Sequence, residues 1–183
     1  MKLLARALLV VVAVLLPSGA FAQRPTYTPQ PAPTREATPL EWVDLDVDPP
    51  DYPVPRNLVE FNTSIAQRNH AYVDTGTLTV GDDGVVRYSM VIQASGGVDN
   101  VTFEGIRCAT REFRIYAVGD RGGRWAKAAG ARWHPIEYKE INNQRQFLYR
   151  DIFCPTGSVV GSREEAIQAL KRGINSKVEP RMR

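Results

Sequence analysis

Nine of the chain's thirteen prolines stand between Gln23 and Pro55. Each removes a backbone donor and fixes φ at about −65°, so neither a helix nor a central strand persists through such a run. Residues 23–55 are therefore expected to form a disordered, partly polyproline-like linker, and the folded domain must lie C-terminal to it. The run is also acidic: Glu36, Glu41, Asp44, Asp46, Asp48 and Asp51 stand against Arg24 and Arg35. The Asp44-x-Asp46-x-Asp48 spacing resembles the start of a calcium loop. Pro49, however, occupies the position where an EF-hand needs glycine, and Pro55 that of the bidentate glutamate, so no metal site is expected there. Trp42 is a candidate to dock on the domain or on a partner.

The residues before the linker read as an address. Lys2 and Arg6 form a positive n-region, Ala7 to Leu16 is an unbroken apolar run, and Ala20-Phe21-Ala22 gives a small-x-small cleavage signature. Residues 1–22 are expected to be a secretory signal peptide cut between Ala22 and Gln23. A helix over that apolar run would rise about 15 Å, half of the ~30 Å hydrocarbon core, so an uncleaved anchor is not expected. No other apolar run approaches 18 residues, and no transmembrane segment is expected after cleavage.

Charge divides along the chain. The 183 residues hold 23 Lys+Arg and 20 Asp+Glu, a formal +3, and loss of Lys2 and Arg6 leaves +1. Gln23 to Phe103 carries 5 basic and 11 acidic residues, whereas Glu104 to Arg183 carries 16 basic and 9 acidic. An acidic arm thus precedes a basic half, and it is expected to fold back over the basic face and compete there with an anionic partner. Near-neutrality and export argue against a nucleic-acid partner. Two histidines and two cysteines exclude a Cys/His zinc-finger array, and no cofactor is expected.

Residues 56–173 are expected to form the domain, and 174–183 a loose basic tail. Leu78 and Val80 alternate with threonines, and Gly81-Asp82-Asp83-Gly84 makes a turn. Val85 to Ala94 then places Val86, Tyr88, Met90 and Ile92 on one face and Arg87, Ser89 and Gln93 on the other, a strand with one wet face. Ser95-Gly96-Gly97 turns into a strand from Val101 to Cys108; Phe113 to Val118 is the next, returning through Gly119–Gly123 to Arg124–Lys127. Asn143 to Phe153 reads as a short helix. Ser162-x-x-Glu165 is a capping box opening a helix over Arg163–Arg172, with Ala166, Ile167 and Leu170 as its apolar stripe and Gly173 as its stop. The class is α+β: an antiparallel meander sheet of about five to six strands with one or two C-terminal helices and one disulfide.

That disulfide follows from Cys108 and Cys154, the only cysteines of a chain bound for an oxidising compartment. They lack the C-x-x-C spacing of a redox pair.

No nucleophile elbow, phosphate loop, dinucleotide fingerprint or H-E-x-x-H motif is present. His70 and His134 are expected to be ordinary turn or surface residues. Glu104 lies in an otherwise apolar strand with Arg107 and Arg111 close by, a candidate acid/base or, more simply, an ion-paired strand residue. Arg124-Trp125 and Arg132-Trp133-His134 repeat a cation–aromatic pair eight residues apart. Tryptophan and arginine are enriched at binding hot spots, and such a surface stacks on sugars or on an anionic polymer. The simpler reading is two core tryptophans with arginines reaching outward.

From about Leu58 to Pro155 the chain resembles the cryptic neisserial plasmid protein-like family of exported proteobacterial proteins. The residues that carry the resemblance are Val85-Val86-Arg87-Tyr88, Phe103-Glu104-Gly105-Ile106-Arg107-Cys108, Arg111-Glu112, Tyr116-Ala117, Trp125, Trp133 and Cys154-Pro155. The resemblance implies a periplasmic protein of a Gram-negative bacterium and no activity, the family being a domain of unknown function. Several members look like lipoproteins; Gln23 at the expected cleavage site departs from that pattern. The function expected is a non-catalytic binding or envelope-interaction module, its partner an envelope protein or an anionic or sugar polymer. The alternative is a small hydrolase using Glu104.

Overall fold

The structure is a computed structural model that describes residues 42–43, 45, 47–63, 69–94, 96–97, 99–138 and 143–178. The expected signal peptide and its cleavage site, the linker up to residue 41 with Asp44 and Asp46, and the end of the basic tail lie outside the described residues.

The strands β1 (Leu58–Phe61), β2 (His70–Val80), β3 (Val85–Gln93), β4 (Asp99–Arg107), β5 (Glu112–Gly119) and β6 (Trp125–Lys127) pair in chain order, each antiparallel to the last. A two-residue strand, β7 (His134–Pro135), pairs with the start of β5. The expected α+β meander is present, with seven strands among the described residues. Turn chemistry fixes the register. Gly84, at φ 75°, donates its N–H to the Gly81 carbonyl at 3.0 Å and so closes the tight connection from β2 to β3.

Only the end of β2 was visible in the sequence pattern, because its alternation breaks at Asp74. The pairing with β3 shifts register between Asp74 and Thr79. There the buried Asp74 carboxylate accepts the Gly76 N–H at 2.8 Å, a local bond that competes with the ladder.

One face of the sheet carries the main core. Ala71, Val73, Leu78, Val86, Tyr88, Met90 and Ile106 pack against Leu148, Ile152, Phe153, Ala166, Ala169 and Leu170. The helix α2 (Arg163–Arg172) forms where expected: Ser162 Oγ accepts the Glu165 N–H at 3.1 Å, and Gly173 ends the helix at φ 74°. Its buried stripe is Ala166, Ala169 and Leu170, with Ile167 only partly covered. The segment expected as one short helix is a single α-helical turn, α1 (Gln144–Phe147), widening into a π-type turn over Leu148–Phe153. Within it the Cys154 N–H reaches back to the Tyr149 carbonyl at 2.9 Å, and Leu148, Ile152 and Phe153 are all fully buried. The Cys108–Cys154 disulfide is formed and ties the end of β4 to the end of this segment, with Cα atoms 5.5 Å apart.

The second face departs from the sequence reading. It is not wet: Arg87 is 4% exposed and Ser89 is fully buried. The cover comes from the N-terminal side. Val47 packs on Phe103, Tyr116 and Ala117 of this face, together with Trp125 and Trp133. Residues 47–55, read in sequence as the end of the linker, lie as irregular chain along it until a 3-10 turn at Pro55–Asn57 leads into β1. Proline forbids the ladder but not packing, so a proline-rich strap can shield a sheet face without becoming a strand.

Candidate functional site

This covered face, with its strap, is where the polar and aromatic side chains of the fold concentrate. Alternation along the strands sends Arg87 of β3, Phe103, Gly105 and Arg107 of β4, and Arg114 of β5 to the same side. Between Ile115 and Ala117 the pairing with β4 skips a residue, so Tyr116 is an extra residue, a bulge that swings its ring onto this face. Gly105 makes room for it: a Cβ there would stand 2.9 Å from the Tyr116 ring.

The rings then form a continuous line. Trp42 meets Trp133 edge-on at 5.7 Å, Trp133 meets Tyr116 at 6.4 Å, and Tyr116 lies 5.4 Å from Phe103. Phe103 lies 6.4 Å from Trp125, which lies 5.0 Å from Tyr52. Guanidiniums sit on these rings: Arg107 stacks 3.8 Å over Trp42, and Arg114 stands 5.1 Å from the centre of Tyr116. A desolvated cation on an aromatic face is worth about 1–2 kcal/mol. The two ends of the line, Trp42 and Tyr52, come from the segment before β1, and hydrogen bonds fix that segment to the sheet. Trp42 donates its indole N–H to the Asp83 carbonyl at 2.8 Å, and Trp125 donates its own to the Pro50 carbonyl at 2.8 Å. Tyr52 lies flat on β5 because residue 119 is glycine; any Cβ there would collide with the Tyr52 hydroxyl.

One ion pair anchors the corner where Trp42 docks. Arg87 Nη1 donates to Asp83 Oδ1 at 3.1 Å, and Asp83 also accepts the Val85 N–H at 3.2 Å. Burial works against the Asp83 charge, but the Arg87 hydrogen bonds and charge outweigh it and hold the carboxyl below its ordinary value. A carboxyl depressed in the fold stabilises above its unfolded pKa of about 3.9 and loses that contribution as pH falls through the lower folded value. Asp83→Asn should therefore cost about 1.5–3 kcal/mol at pH 7. In urea titrations the gap to the unsubstituted protein should close as pH drops below about 4; a gap that stays constant down to pH 2 would mean the carboxylate charge is irrelevant.

Between the strap and β5–β6 lies an open cleft of about 380 Å³, with Val47, Asp48 and Pro49 on one side and Arg114, Tyr116, Trp125, Lys127 and Ala131 on the other. Of the sequence candidates, Trp125 lines this cleft and Trp133 packs in the ring line beside it. Their neighbouring arginines point outward: Arg124 is exposed and paired with Asp120 at 3.0 Å, and Arg132 is exposed. His134 stands apart, its ring 5.7 Å from Phe113 at the opposite end of β5 from β6. With Arg132 it borders a smaller cleft of about 240 Å³ beside Ile115 and Val118. A third, wide cleft of about 510 Å³ runs between the β2–β3 turn and the start of α2.

Glu104 lines none of these three clefts. It points into the main core and is fully buried. Arg145 grips it with both arms of its guanidinium, Nε to Oε2 at 2.7 Å and Nη2 to Oε1 at 2.6 Å. Thr102 donates its hydroxyl at 2.7 Å and Tyr88 its own at 3.3 Å. Burial lowers the Arg145 pKa, but the Glu104 charge and hydrogen bonds more than reverse this and hold it above its ordinary range. Burial first, and the Glu104 charge second, push the Tyr88 phenol well up. The arginines close to Glu104 in sequence are elsewhere: Arg107 lies over Trp42, and Arg111, at φ 55° in the β4–β5 turn, stands 5.9 Å from the Tyr149 ring. Arg145, which sequence reading missed, stands 41 residues away, and no local pattern signals it. The one available clue was general: a fully buried acid requires a cation.

Among the described residues no three His, Cys, Asp or Glu side chains are grouped to hold a metal ion. No described helix is long and apolar enough to cross a membrane.

Fold and face together define a class: a disulfide-tied antiparallel meander, backed by helices on one side and strapped on the other by an acidic, proline-rich segment. Residues 37–171 match the model of the CNP1-like family, and the chain belongs to that family. It is 30% identical over 112 residues to a protein of Neisseria gonorrhoeae (strain ATCC 700825 / FA 1090) named Cryptic neisserial protein 1, covering 54% of each chain. The chain thus spans about half the length of this curated relative. No solved structure matches.

Proposed function

We propose that this chain is an exported, non-catalytic binding module of the Gram-negative envelope, and that the strapped face is its site for an anionic or sugar-bearing envelope polymer. The observation that supports this reading is the open cleft beside Trp125, where two cations, Arg114 and Lys127, border aromatic walls. A pocket of this size, with a few polar groups on an apolar lining, is the usual form of a small-ligand site. Export is supported by the residue pattern of 1–22.

Two measurements test it. Protein recovered from a periplasmic extract should begin at Gln23; a chain retaining residues 1–22 in the cytoplasm would refute export. The mature protein should co-sediment with purified cell-wall sacculi in a saturable, salt-sensitive manner. The substitution Lys127→Glu, at an exposed position that lines the cleft, should weaken that retention about tenfold. Retention unchanged by the charge reversal would refute the site.

A further inference from the structure

The strap and the cleft depend on each other. Val47, Asp48 and Pro49 are one wall of the cleft, and the sheet side supplies the other. With the strap lifted off, a wall is gone and an open face replaces the pocket. How firmly the strap is held therefore decides how often the pocket exists. Its attachments are few. Residues 47–54 belong to no strand of the sheet, and none of them is fully buried. Two indole bonds carry the tie: Trp125 to the Pro50 carbonyl and, eight residues earlier in the chain, Trp42 to the Asp83 carbonyl. Tyr52 adds its ring contact with Trp125 and a long hydroxyl bond to the Asp120 carbonyl at 3.4 Å. Phe103, Tyr116 and Ala117 beneath it form a buried cluster of their own, separate from the main core on the helical side. The strap can thus leave without disturbing the packing of Val86, Tyr88 and Met90 on that side.

Docking also carries a cost. Arg87 Nε, Ser89 Oγ and Arg107 Nε are buried and, among the described residues, have no hydrogen-bond partner. Register and alternation put all three residues on the strapped face, and Arg107 lies directly against the Trp42 ring. A buried polar atom left unpaired costs stability, and undocking returns these atoms to water. The strap is stiff as well. Asp48, Pro49, Tyr52 and Val54 each precede a proline and are confined to extended backbone, as Val54 shows at φ −116° and ψ 143°. Movement stops at Asn57, whose carbonyl accepts the Thr75 hydroxyl at 2.9 Å.

We infer that the strap is a lid: residues 47–54, with Trp42 ahead of them, dock and undock as one stiff unit about the Pro55–Asn57 turn. The sheet and its helices stay folded meanwhile, and the cleft beside Trp125 exists only in the docked state. A ligand in the cleft touches strap and sheet together, so it selects the docked state, and its apparent affinity scales with the docked fraction. This holds for any occupant of the cleft and does not rest on the polymer proposed above.

The experiment follows solvent exchange of the Trp42 and Trp125 indole N–H groups by NMR in the mature full chain, beside the backbone amides of Val86, Tyr88 and Met90 in β3. The two indoles should be protected equally within about threefold, and at least about a hundredfold less than the β3 amides. Trp42→Ala should speed exchange at Trp125 about tenfold. Trp42→Phe, which keeps a ring but loses the bond to Asp83, should speed it about threefold. Glu104→Gln weakens the main-core side alone. It should lower β3 protection and leave both indole rates within about twofold of their original values, because the strap opens from the folded state in either protein. Three results would each overturn the inference: a Trp125 indole as protected as the β3 amides, a Trp125 rate unchanged in both Trp42 variants, or indole exchange that speeds up in step with β3 in Glu104→Gln. Sacculus retention tests the ligand and these rates test the lid, so either can fail alone.

Discussion

Replacing Arg145 with leucine should destabilise the fold by about 3 kcal/mol or more, the range measured when one partner of a buried ion pair is removed. The reason lies on Glu104, whose side chain has no solvent contact at all, while that of Arg145 is 30% exposed. Removing the guanidinium takes away two hydrogen bonds and the opposite charge paired with the carboxylate, leaving, among the described residues, the Thr102 and Tyr88 hydroxyls to solvate it. Removing the acid instead is milder, because Arg145 can turn toward water. Glu104→Gln should therefore cost less than Arg145→Leu, and the double variant should recover part of the loss. Chemical denaturation of the three variants, with Arg121→Leu as an exposed control, measures this. A loss from Arg145→Leu no larger than that of the control would mean that the pair does not hold the fold. A milder Glu104→Gln variant that still folds would also separate this carboxylate's structural role from the acid/base role considered from sequence.

Loss of the Cys108–Cys154 bond should have a comparable effect. The two residues are separated by 46 positions, and closing a loop of that length removes chain entropy from the unfolded state worth about 4 kcal/mol. Both cysteines are buried, at 3% and 2% exposure, so the Cys108→Ala/Cys154→Ala variant adds a packing loss. The melting temperature of the mature protein should fall by roughly 10 °C or more on reduction or in that variant. A shift of less than about 2 °C would show that the loop is already constrained without the bridge. The disulfide and the Glu104–Arg145 pair both fasten the same segment, α1 and the turn after it, onto β4. Their losses should therefore be less than additive: once the segment is released by one, the other has less left to hold.

Sequence alone determined what depends on neighbours a few residues apart. The Gly81–Gly84 turn, the alternation of Val86, Tyr88, Met90 and Ile92, and the Ser162 cap with its Gly173 stop each rest on local backbone geometry, and each appears at its expected place. The disulfide was legible for a different reason, since with two cysteines there is only one pairing to make. β2 was mostly missed because a local bond at Asp74 breaks its alternation, and alternation was the only signal available.

What lies across the sheet was decided only by tertiary structure. Arg87 and Ser89 look like the wet side of a strand until Val47 and its neighbours are laid over that face. Trp125 and Trp133 pack on the covered face, whereas the arginines beside them in sequence are exposed. The cations that share the cleft with Trp125 are Arg114 and Lys127, one turned to that face by strand alternation and the other brought by the pairing of β6 with β5. Arg145 reaches Glu104 because the α1 segment crosses β4, a meeting fixed by chain path rather than by spacing. A residue's type and its near neighbours limit which contacts it needs. Which distant residue supplies them is settled when register, bulge and strap bring the two together.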